Sequence, residues 1–82
     1  MKATVIVTLK PTVLDPQGIT IQRSVQSMGM SEVVDIRQGK YFDVNLRDGL
    51  PADRSKEVVQ TLAKEVLTNP VIEEYRILWE QK

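Results

Sequence analysis

Group-transfer catalysis usually needs a nucleophile beside a base, and this 82-residue chain offers little of either. It contains no histidine and no cysteine. The commonest general base, the commonest metal ligand and the thiolate nucleophile are therefore all missing. Serines and lysines are present, but no spacing sets one against the other. Glu73 and Glu74 are adjacent in a segment that alternates like a strand. They point to opposite faces, a poor arrangement for acid–base work on one substrate. Arg37-Gln38-Gly39-Lys40 has one glycine and no following helix, so it is not a phosphate-binding loop. What remains is recognition. Arg37 and Lys40 flank an exposed turn, and two cations there have no core role.

The elements that must position these residues belong to one small domain, residues 1–82. A chain this short buries roughly 60–65% of the surface exposed when it is unfolded, so it is marginal by itself. Without cysteine there is no disulfide to compensate, which leaves self-association or a partner. Lysine and arginine number 11, and so do aspartate and glutamate. Nucleic-acid binders normally carry a basic excess, and none is visible here. No apolar run approaches the ~20 residues of a membrane span, and the start lacks the pattern of a signal peptide. The expectation is a cytoplasmic protein with neither nucleic acid nor membrane as partner.

Residues 3–10 alternate as a strand, with Ala3, Val5, Val7 and Leu9 on one face. Pro11 ends it. Asp15-Pro16-Gln17-Gly18 reads as a helix start, with Asp15 capping and Pro16 in the first turn. Ile21, Val25 and Met28 continue one helical face, and Gly29 suits a left-handed cap. Gly18 leaves room either for a close helix–sheet contact or for a backbone surface facing a partner. Residues 33–46 predict a β-hairpin: Val34 and Ile36 share one face, and Phe42, Val44 and Leu46 another. Gly39 would supply positive φ between them. Asp53 is the favoured cap of a second helix with the stripe Val59, Leu62, Ala63 and Val66. Asn69-Pro70 ends that helix, and residues 71–79 form the last strand.

The order β-α-β-β-α-β predicts an α+β, ferredoxin-like fold: one antiparallel sheet with two helices on one face. The other face would carry Ile6, Val33, Tyr41, Leu78 and Ile72, a partly apolar surface suited to a protein interface. The same order occurs in ligand-binding regulatory domains of ACT type and in RNA-recognition modules. Nothing specific supports the first. The second needs aromatics on one face, whereas Tyr41 and Phe42 are adjacent and face opposite ways.

Three runs, in this order and spacing, carry a resemblance. They are Val13-Leu14-Asp15-Pro16-Gln17-Gly18, Val34-Asp35-Ile36-Arg37-Gln38-Gly39-Lys40-Tyr41, and Asn69-Pro70-Val71-Ile72-Glu73-Glu74-Tyr75. Together they resemble the PurS family over essentially the whole chain. That family is the small subunit of the three-part phosphoribosylformylglycinamidine synthase of purine biosynthesis. The resemblance implies a ligase complex that turns formylglycinamide ribonucleotide, glutamine and ATP into formylglycinamidine ribonucleotide, glutamate, ADP and phosphate. A large synthetase subunit would carry the ATP and magnesium chemistry, and a glutaminase subunit would make ammonia. The small subunit would bind no cofactor and have no catalytic residue. It would bridge the other two, aid ammonia transfer, and form a homodimer or larger assembly. Arg37, Gly39, Lys40 and Tyr41 would present the partner interface. Asp15, Pro16 and Gly18 would shape the first helix start, and Asn69, Pro70 and Tyr75 the last junction.

Overall fold

A computed structural model describes residues 1–80. Strand β1 (Lys2–Leu9) lies between β2 (Gly39–Asn45) and β3 (Glu73–Glu80), antiparallel to both. Helix α1 (Pro16–Ser27) joins β1 to β2, and α2 (Ala52–Leu62) with a following π turn (Ala63–Leu67) joins β2 to β3. The α+β class and the antiparallel sheet are as the alternation predicts.

Register explains the core. Ala3 lies opposite Val44 and Trp79, and Val5 lies opposite Phe42 and Ile77. With Val7 they make one apolar face, which Val59 and Ala63 close from above. These five residues are the buried apolar set, and Phe42, Val44, Leu46, Leu67, Ile77 and Trp79 pack around them. α1 contributes only Gly18 to the buried residues, so its stripe does not share the covering of the sheet.

The first half of the expected hairpin does not form. Residues 33–38 run without sheet pairing, and β2 begins at Gly39. The segment instead bonds toward α1: Gln22 Nε2 donates to the Val34 carbonyl, and Gln38 N donates to Asp15 Oδ2. Period-two alternation says which way side chains point in an extended chain, not whether a neighbouring strand exists. The positive φ expected at Gly39 is also absent; among the described residues Gly29 and Gly49 have it. Gly39 is needed for space. A Cβ there would lie 2.8 Å from both Thr8 Cγ2 and the Val7 carbonyl oxygen.

Two further corrections concern α2. Its N-cap is Pro51, not Asp53, and no side chain caps it. Ser55 N donates to the Pro51 carbonyl at 2.9 Å, so the first turn closes earlier than a capping aspartate would suggest. Asp53 lies inside that turn, where its charge suits the positive helix end. At the other end the π turn inserts extra arc. Val66 is rotated out to 70% exposure, while Leu67 packs on the core. Thr68 follows, buried, with no hydrogen-bond partner for its hydroxyl among the described residues. An unpaired buried hydroxyl costs about 1–3 kcal/mol. Thr68→Val is therefore expected to raise stability by about 1 kcal/mol in urea denaturation.

The described residues spread over 52 × 29 × 13 Å, with a radius of gyration of 16.5 Å. A compact chain of this length would have about 12 Å. The excess reflects the small core and the α1 arm, residues 10–38, which stands off the sheet.

Candidate functional site

The densest set of long-range polar contacts lies at the base of that arm, where the chain leaves β1 and enters β2. Pro16 fits the first turn of α1 because its fixed φ is already helical and its missing N–H would have no partner there. Asp15 then caps the turn: its Oδ1 accepts from Gly18 N at 3.0 Å. The other oxygen, Oδ2, accepts from Gln38 N at 2.7 Å, just before β2. Arg37 Nη2 donates to the Lys10 and Val13 carbonyls at 3.2 and 2.9 Å. Gln38 Nε2 reaches Gln17 Oε1 at 2.6 Å. Gly18 meets the Ile36 carbonyl so closely that no Cβ would fit. Neither sequence expectation for Gly18 holds as stated: the position is buried, and its close contact is with the unpaired segment before β2 rather than with the sheet.

Asp15 is only 6% exposed. The Gln38 N–H, then the Gly18 N–H, hold its carboxyl below the ordinary aspartate value of 3.8, with help from the Arg37 charge and against desolvation. A carboxyl whose pKa is lowered by folding adds stability that is complete above the unfolded value and lost as pH falls through the folded one. The urea midpoints of the parent and of Asp15→Asn should therefore differ most near neutrality. The gap should close as pH drops below about 4.

A groove beside the junction is lined by Asp15, Gln17, Gln38, Lys40 and Glu73, among others. Lys40 Nζ lies 3.7 Å from Glu73 Oε2. Glu73 Oε1 accepts from Asn69 N, and Asn69 Oδ1 accepts from Val71 N across Pro70. Asn69 and Pro70 thus lie in the turn that leads into β3. Tyr75 lies opposite Val7 on the covered side of the sheet. Among the described residues no three His, Cys, Asp or Glu side chains converge to hold a metal ion. No described helix is long and apolar enough to cross a membrane.

On the uncovered face, Ile6 lies between Tyr41 and Arg76, and Leu78 lies opposite Thr4. Tyr41 is 67% exposed and Leu78 is exposed too. Thr4 Oγ1 donates to Asp43 Oδ1 beside them at 3.3 Å. The structure therefore separates the four residues expected at one interface. Arg37 and Lys40 have partners within the chain, Gly39 is packed on β1, and Tyr41 faces out. Gln38 and Glu73 are the residues that sequence reasoning missed. Gln38 meets Asp15 through its backbone N–H, which no residue type records, and Gln17 through its side chain. Glu73 was legible only as a charge in a strand.

A family model described as phosphoribosylformylglycinamidine (FGAM) synthase, PurS, matches residues 2–81. The chain belongs to the PurS family. It is 41% identical to the PurS subunit of Methanocaldococcus jannaschii, over 93% of this chain and 90% of that one. Its identity to the Bacillus subtilis subunit is 42%, over 92% and 87%. The crystal structure of Methanocaldococcus jannaschii PurS superposes with a TM-score of 0.85 at 38% identity, covering 99% of this chain and 96% of that one. A PurS-like match also occurs in the structure of PurLQS from Thermotoga maritima. Its TM-score is 0.84 at 30% identity, over 94% of this chain and 93% of that one. PurS membership agrees with the motif resemblance, and the corrected β2 start does not disturb it.

Proposed function

We propose that this chain is the non-catalytic small subunit of a phosphoribosylformylglycinamidine synthase in purine biosynthesis, working in the cytoplasm. It holds a glutaminase subunit and an ATP- and magnesium-using synthetase subunit together, so that ammonia released from glutamine reaches the second site. The observation that carries this reading is the match, over nearly all of the chain, to a component of a PurLQS assembly. The geometry supports it through two surfaces left for partners: the α1 stripe, with Ile21 and Met28, and the sheet face of Ile6, Tyr41 and Leu78.

The thin shape adds self-association to the reading. Light scattering at micromolar concentration should give at least twice the 9.3 kDa mass of one chain, and a single-chain mass would refute the dimer. The bridging role is tested by reconstitution with the synthetase and glutaminase subunits. Omitting this chain should abolish glutamine-dependent turnover and spare turnover with added ammonia. Equal glutamine-dependent rates with and without it would overturn the reading.

A further inference from the structure

We propose that Arg37 is a positioning residue. With Asp15 it closes the base of the α1 arm, tying together the two passages by which the chain leaves and rejoins the sheet, and the assembled synthase depends on the arm placement so fixed rather than on the Arg37 charge. This rests on the bridging function proposed above.

The arm lacks the usual means of holding an angle. Apolar burial normally fixes a helix on a sheet, but α1 buries only Gly18, and Ile21 and Met28 stay exposed. The chain passes between arm and sheet twice, after Leu9 and before Gly39. Arg37 ties the second passage to the first, because one guanidinium nitrogen bonds the Lys10 and Val13 carbonyls together. Asp15 closes the same loop from the other side, accepting from Gln38 N and Gly18 N. Asp15 is nearly inaccessible, so a partner subunit cannot be what it serves. Two residues that brace one junction should act as one unit.

A double-mutant cycle tests this in the reconstituted complex, read as the ratio of glutamine-dependent to ammonia-dependent turnover. Arg37→Ala and Asp15→Asn should each lower the ratio, and the double variant should be no worse than the worse single, because coupled residues are not additive. Arg37→Lys keeps the charge, but its ammonium ends one bond short of the Nη2 that reaches the Lys10 and Val13 carbonyls, and it should resemble Arg37→Ala. In the free chain, hydrogen exchange at the Gln38 and Gly18 amides should quicken by about tenfold in Arg37→Ala. Several results would overturn the proposal: restoration of the ratio by Arg37→Lys, effects that multiply in the double variant, or unchanged exchange in Arg37→Ala. Should Asp15→Asn fail to fold, the alanine and lysine variants at Arg37 decide alone. Should the parent complex show no glutamine dependence, the bridging reading fails, and the exchange measurement still judges the brace.

Discussion

Gly18→Ala is expected to destabilise the chain by about 2 kcal/mol, although alanine in place of a helix-interior glycine normally stabilises by ~1 kcal/mol. The sign reverses because the new Cβ has nowhere to go. It would collide with the Ile36 carbonyl and sit 2.9 Å from Asp15 Oδ2. A flexible side-chain end could yield, but a backbone carbonyl moves only if residues 33–38 move with it. That displacement would pull Gln38 N from Asp15 and leave a buried carboxylate short of a donor. Urea denaturation should show a lower midpoint with an unchanged slope. A midpoint at or above the parent's would mean that the segment retreats freely and that the junction is not tight. Gly29 offers the contrast. It has φ of 91° and no atom within 4 Å of a built Cβ, so its need for glycine is conformational and its surroundings are indifferent.

Ile6→Asp is expected to leave the monomer folded and to weaken assembly by at least about a hundredfold, near 2.7 kcal/mol. Ile6 is on the uncovered face, between Tyr41 and Arg76, so the substitution makes no cavity in the core. Exposed strand substitutions change stability by up to ~1 kcal/mol. A carboxylate carried into a protein interface without a partner costs more than that. Titration of the variant against the partner subunits should show the loss in affinity, while its melting temperature stays near the parent's. Affinity equal to the parent's would remove this face from the interface and leave α1 as the surface that partners meet.

The parts legible in the sequence were those governed by local rules. Asp15-Pro16 announced a helix because capping chemistry and proline geometry act within a few residues. Ala3, Val5 and Val7 announced a buried face because alternation is a property of one strand. The motif runs announced the family. What escaped depended on partners distant in sequence. Val34 and Ile36 alternate as a strand would, yet the groups that bond their segment are Gln22 and Asp15. Asp53 looked like a cap, but Pro51 sets the start of α2. Val66 fitted an α-helical stripe until the π turn changed the arc per residue. At the candidate site, Arg37 was expected to face a partner, yet its acceptors are two carbonyls of the same chain, which residue identity cannot announce.

The 13 Å thinness of the molecule has a consequence for the cell as well as for the fold. A slab that thin is about one sheet and one helix deep, so stability measured on it is partly borrowed from whatever lies against it. Binding that favours the folded state raises apparent stability by mass action, in proportion to the logarithm of partner concentration. A chain made in excess of its partners would then be the first to open and to meet proteases. Turnover of the unassembled fraction would then trim the supply of this subunit toward that of its partners.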